Sequence, residues 1–160
     1  MNASAHAIHE DQHLQQMLTF ALDTESYGVD IQRVQEIRGW TPVTAIPEAP
    51  PHILGVLNLR GAIVPIIDLR ARIGMSPMTP SATTVIIVLN VETAQGTRLF
   101  GIVVDRVSDV ANISESNLKP VPTMGQYGTA DYLRGLVNNC ESMVVLLDID
   151  RLLGGNGESY

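Results

Sequence analysis

The chain has 160 residues, 45% of them apolar and only 17% charged, which suggests one domain or two small subdomains sharing a core. Its formal net charge of −7 argues against nucleic acid, whose binding rests on neutralising phosphates, and against an anionic membrane surface, leaving a protein or small molecule as the expected partner. A single cysteine, Cys140, excludes an internal disulfide framework and fits a reducing cytoplasm; no apolar run is long enough to span a bilayer, and the opening MNASAHAIHEDQH lacks the basic start and apolar stretch of a secretory signal.

Residues 1 to about 15 read as a flexible polar tail. Met17–Leu22 is a first strand, Asp23–Ser26 a turn, and Tyr27–Ile31 a second strand by alternation. Val34–Ile37 continues extended or as a short helical turn. Four prolines, Pro42, Pro47, Pro50 and Pro51, make the next stretch a connecting loop, because proline fixes φ and removes a backbone donor. Gly55–Leu59 and Ala62–Leu69 form a hairpin with Arg60-Gly61 at its tip. Met75–Ser81, with Pro77 and Pro80, links two halves. The β-branched run Thr83–Val91 is the strongest strand signal, with Leu99–Val104 as its partner after a turn at 94–97. A polar stretch from Ser114 ends at Pro120 and Pro122, residues 125–132 are loop, and Leu136-Val137 with Met143–Ile149 make a second hairpin. Asp150–Leu153 is a short terminal helix stopped by Gly154-Gly155, and residues 156–160 are a tail.

Two stretches repeat. Residues 27–37 read like residues 100–110 at an offset of 73, and residues 53–69 read like 133–149 at an offset of 80. In the second pair Gly55 matches Gly135, Asn58 matches Asn138 and Asp68 matches Asp148. The chain is one small β unit built twice, at about 16–80 and 81–153. Each barrel alone, at roughly 65–70 residues, would be marginal, so one cooperative unit of two packed barrels is expected.

Arg60 is the residue that the repeat does not explain, since its equivalent is Cys140. It reads either as an outward contact to a partner carboxylate or as one side of an internal salt bridge to Glu36 or Asp68. The recurrence of Asp68 and Asp148 points to a structural role, such as capping a turn. His6, His9 and His13 have helical spacing but sit in the polar tail, and no metal site is expected there. Cys140 has no basic neighbour to lower its pKa. A hydrolase using Asp68, Asp148 or Cys140 is the opposing class, but the only histidine outside the tail is His52, and a nucleophile needs a base within reach. Val34, Val85, Val107 and Val110 read as core, or as the lining of a groove able to accept an amphipathic helix.

The strings Val34–Gly39, Ile53–Gly61, Ile63–Arg70, Gly101–Val110 and Leu146–Leu153, in order over residues 16 to about 155, closely resemble the CheW family of chemotaxis coupling proteins. The resemblance implies an all-β fold of two SH3-like five-stranded barrels packed side by side around a shared hydrophobic core. It implies a non-catalytic adaptor, without cofactor or metal, joining the cytoplasmic tips of chemoreceptors to the regulatory domain of the histidine kinase CheA. Location in the cytoplasm at membrane-associated receptor arrays follows, without insertion into the membrane. Family contact positions fall on Arg60, Glu36, Val34, Gly55, Val85, Val107 and Val110, and a second kinase contact on Ser114–Pro122. The same domain occurs within CheA and in CheV; ending at Tyr160, the chain reads as a free-standing coupler, for flagellar or other output.

Overall fold

A computed structural model describes residues 14–122, 130–139 and 142–154. The tail histidines, Cys140 and the tail 156–160 lie outside the described residues. Eleven strands dominate: β1 (Leu14–Leu22), β2 (Glu25–Asp30), β3 (Val34–Gly39), β4 (Ile53–Leu59), β5 (Ala62–Asp68), β6 (Val85–Thr93), β7 (Gly96–Val104), β8 (Arg106–Ser114), β9 (Leu118–Lys119), β10 (Leu133–Asn139) and β11 (Ser142–Leu147). A 3-10 turn, Ile31–Arg33, joins β2 to β3, and the ambiguous segment Val34–Ile37 is strand throughout. Two short helices, α1 (Leu69–Arg72) and α2 (Ile149–Leu153), follow β5 and β11. The recurrent aspartates are their caps. Asp68 accepts from the Arg70 amide at 3.1 Å and Asp148 from the Asp150 amide at 3.1 Å, each covering a donor the helix start leaves open. The strand β8 is an addition to the expected elements, because its sequence RVSDVANIS carries polar residues on an edge with little apolar alternation.

The strands form two sheets, ordered β8-β1-β2-β11-β10-β9 and β3-β6-β7-β5-β4. Each sheet draws on both halves of the chain, so the barrels are not the contiguous segments 16–80 and 81–153. The reason is local. After its first hairpin each half crosses to the other sheet: the 3-10 turn carries β2 into β3 beside β6, and the single residue Asp105 carries β7 into β8 beside β1. The Asp30 side chain caps the first crossover by accepting from the Gln32 amide at 2.9 Å.

The repeat survives this interleaving pair by pair. Gly28 lies opposite Leu146 in the parallel pair β2·β11, and Gly101 opposite Ile66 in the parallel pair β5·β7. Those four residues are related by the offsets of 73 and 80. A Cβ on Gly28 would meet Leu146 at 3.0 Å, and one on Gly101 would meet Ile66 at 2.7 Å. Both positions are small so that the parallel strands can lie close with a large apolar side chain between them.

Three apolar clusters result. Leu59, Val64, Ile66, Ile86, Val88 and Val103 fill one barrel, and Met17, Ile113, Val137, Val144 and Leu146 fill the other. Between them a larger shared layer holds, among others, Leu18, Phe20, Ile67, Ile87, Leu89 and Phe100. β6 reads as an unbroken apolar run because both its faces are buried: Ile86 and Val88 point into one barrel, Ile87, Leu89 and Val91 into the shared layer.

Gly55 and Gly135 also recur for a backbone reason. Both have positive φ, 153° and 158°, at equivalent bulges in β4 and β10. A Cβ at Gly55 would collide with the Thr44 carbonyl oxygen, and one at Gly135 would sit 2.7 Å from the Lys119 carbonyl oxygen. Gly61 is different: its φ is 91°, but a Cβ there would meet nothing within 4 Å. Gly55→Ala is expected to cost about 2–4 kcal/mol and Gly61→Ala about 1 kcal/mol. Urea denaturation of the two variants checks this; equal losses would mean that φ alone, and not close approach, requires glycine at position 55.

Candidate functional site

Arg60 and Gly61 form the two-residue tip between β4 and β5, with φ of 52° and 91°. Two positive values define a type I′ turn, which favours Asn or Gly at its first central position. The left-handed conformation costs an arginine about 1–2 kcal/mol, so turn formation alone does not account for this side chain. Asn58 secures the turn by accepting from the Gly61 amide at 2.9 Å.

The Arg60 guanidinium pairs with Glu36 on β3, and Arg38 reaches the other Glu36 oxygen at 3.3 Å. β3 and β4 are the two ends of their sheet order, so this three-residue cluster spans the edges of one sheet. The internal partner is thus Glu36 and not Asp68, which is buried and occupied by the amides of Arg70 and Met78. Arg60 nonetheless keeps 73% of its side chain exposed. The pair orients the guanidinium without covering it.

The remaining expected positions separate by burial. Val34, Val85 and Val107 are half-buried and pack against the shared core. Gly55 is buried, and its backbone fit accounts for it. Val110 alone stands out, 43% exposed on the edge strand β8. Val34 and Val85 share one sheet, Val107 and Val110 the other, so the set does not converge on a single groove.

Other exposed apolar residues add to the expected contacts. Ile37, Ile63 and Met143 are exposed at 44%, 62% and 54%. They follow the repeat: Ile37 is the equivalent of Val110 at the offset of 73, and Ile63 the equivalent of Met143 at the offset of 80. Each sheet therefore carries one such pair, Ile37 with Ile63 and Val110 with Met143. A separate apolar cavity of about 240 Å³ is lined by Tyr27, Leu133, Val145 and Leu147 of the six-stranded sheet together with Ile73 and Tyr132. Burial pushes the Tyr27 phenol above its ordinary range, so it stays protonated. Arg72 stacks over the Tyr132 ring, 5.5 Å from its centroid.

Two ion-pair clusters lock the crossovers. Arg70, with 12% of its side chain exposed, binds Asp23 at 2.7 Å and Asp105 at 2.8 Å. At the equivalent place in the second half stands Asp150, which takes a two-pronged contact from Arg33 and accepts from the Glu92 amide at 2.8 Å. Burial alone raises the Asp150 pKa, but the bonds from Arg33 and the Glu92 amide outweigh it and hold the carboxyl below its ordinary value of 3.8. Among the described residues no group of three or more His, Cys, Asp or Glu is placed to hold a metal ion, and no helix is long and apolar enough to cross a membrane.

The described residues thus form an all-β protein of two packed barrels with exposed apolar residues on each sheet. The CheW-like domain model matches residues 16–156, so the chain belongs to the CheW-like family. It is 46% identical over 139 residues to the chemotaxis protein CheW of Klebsiella aerogenes, covering 87% of this chain and 81% of that protein. It is 39% identical over 137 residues to a probable chemotaxis protein CheW of Rhizobium etli, covering 86% of each. Its fold matches the crystal structure of the scaffolding protein TtCheW from Thermoanaerobacter tengcongensis with a TM-score of 0.79 and 30% identity, over 91% of this chain and 97% of that one. The SH3-like barrels are therefore those of a chemotaxis coupling protein.

Val107→Asp is expected to cost about 2–4 kcal/mol, because it puts a carboxylate against the shared core, whereas Val110→Asp should stay within about 0.5 kcal/mol; chemical denaturation of both separates core from surface. Because the Asp150 pKa is depressed on folding, its contribution is present above 3.8 and is lost as pH falls through the folded value. Asp150→Asn should therefore be less stable than the parent at neutral pH and show a shallower fall in stability below pH 3.8, measured by urea midpoints across pH.

Proposed function

We propose that the chain is a non-catalytic adaptor that couples the cytoplasmic tips of chemoreceptors to the histidine kinase CheA, within the cytoplasm at receptor arrays. The observation that carries this reading is the duplicated exposed contact: Ile37 with Ile63 on one sheet, Val110 with Met143 on the other. A partner with the same two-barrel architecture, as the resemblance gives the kinase's regulatory domain, can dock end to end on either pair. Arg60 stands on the sheet that bears Ile37 and Ile63, oriented by Glu36 and open to a carboxylate of the receptor or kinase. The apolar cavity lined by Tyr27, Tyr132 and Val145 offers a seat for one face of a receptor helix. Val34, Val85 and Val107 act from beneath, by holding the strands that carry these contacts.

Coupling of this kind is a difference in binding energy between receptor states. Whichever state the adaptor and kinase bind more tightly becomes populated, and kinase activity follows that population.

The test is kinase autophosphorylation with CheA and receptor-bearing membranes, with and without this protein. A strong, attractant-sensitive rise is expected. Arg60→Glu should remove most of it while changing stability by less than about 1 kcal/mol, since an exposed pair contributes little to folding. Val110→Asp should weaken kinase binding in a pull-down with its melting temperature unchanged. A full rise with Arg60→Glu would move the working surface away from this turn, and no rise with the parent protein would overturn the reading.

A further inference from the structure

The two halves of the chain are joined by their contacts more than by their covalent link. Four strand pairings cross between halves: β1·β8, β2·β11, β3·β6 and β5·β7. The ion pairs Arg33–Asp150 and Arg70–Asp105 also cross, as does the Arg134 bond to Gln15 at 3.1 Å. Pairings within a half are its hairpins, the short β9·β10 contact and the single Thr44·Val56 bridge. The only covalent connection is residues 73–84, a mostly exposed segment with two stiffening prolines, Pro77 and Pro80. It is held to the body by hydrogen bonds, among them Arg70 Nε to the Ser76 carbonyl at 2.8 Å and the Met78 amide to Asp68 at 2.9 Å, and by the apolar side chains of Ile73, Met75 and Met78, all of which an opening chain must release.

We propose that this chain exchanges halves with a second copy of itself. Residues 14–72 of one protomer then pair with residues 85–154 of the other, and residues 73–84 serve as the hinge. Every crossing contact is the same whether the two halves belong to one chain or two. Neither half has a complete sheet alone, because each supplies a hairpin to one sheet and further strands to the other. An opened chain thus exposes apolar faces that only a complementary half covers, and protein concentration decides between closure and exchange. This assembly uses the core contacts, not the exposed end pairs, so it goes beyond the adaptor reading and stands or falls without it.

Charge reversal provides the test. In Arg33→Asp, residue 33 faces Asp150 as a like charge; in Asp150→Arg, it is Arg33 that meets a like charge. Each variant alone should melt roughly 5–10 °C below the parent. Exchange between the two variants pairs the reversed half of one with the reversed half of the other, which restores attraction, and leaves the two unaltered halves to form the original pair. The variants are unfolded together, refolded at high protein concentration and read by native mass spectrometry and thermal melting. The expected product is a mixed dimer of one chain of each variant, melting near the parent. Two separate monomers with lowered melting points, or no folded product, would overturn the proposal, as would a mixed dimer that melts no higher than either variant alone. Parent protein refolded under the same conditions should give a dimer fraction that grows with concentration; a strictly monomeric product at every concentration also counts against exchange.

Discussion

The two parallel strand pairings, β2 with β11 and β5 with β7, are the constraint on which the rest of the structure depends. Each brings a glycine of one half against a large apolar residue of the other, Gly28 against Leu146 and Gly101 against Ile66. Only strands without a Cβ at these points can come so close, and once they do, the remaining strands have one place to go. The third strand of each half is carried across to the other half's hairpin. The short helix that follows each half's second hairpin lands beside the crossover of the other half, where Arg70 finds Asp105 and Asp150 finds Arg33. Close packing selects the topology, and charge then fastens it.

That order of causes explains why a chain with few aromatic residues builds a stable pair of barrels. Each barrel interior is small, with about half a dozen buried aliphatics. The shared layer is larger, and it exists only because the barrels are joined along both crossovers. Burying an aliphatic side chain contributes about 1.5–3 kcal/mol, so most of the apolar stabilisation lies in the layer that neither barrel could form by itself.

The sequence displayed the repeat, the hairpins, the caps and the all-β class, because each rests on local patterns: a recurring glycine, an alternation, an aspartate before a short helix. It did not display which half pairs with which, because β3 would read the same against β1 as against β6. The crossover depends on the 3-10 turn at Ile31–Arg33 and on Asp105, a few residues whose conformations are set by distant partners. The candidate site divides along the same line. Arg60 was visible as a departure from the repeat, and Glu36 as one of its possible partners. Ile37, Ile63 and Met143 were hidden, because an aliphatic in a strand reads as core by default. The repeat leads from the expected contact Val110 to Ile37, its equivalent, but not to Ile63 and Met143, which match only each other.

The places where the halves disagree are as informative as those where they agree. Both sheets offer an exposed aliphatic pair, so a partner meets similar apolar surface on each. The charges beside those pairs differ. Next to Ile37 stand Glu36, Arg38 and, through Glu36, Arg60; next to Val110 stand Asp109 and Ala111. One contact thus combines an acid with two guanidinium groups, and the other has an acid without them. Apolar burial supplies attraction without distinguishing the ends, while unlike charge patterns make one docking orientation better than its reverse. Duplication followed by divergence at the turn therefore converts a nearly two-fold body into one with direction.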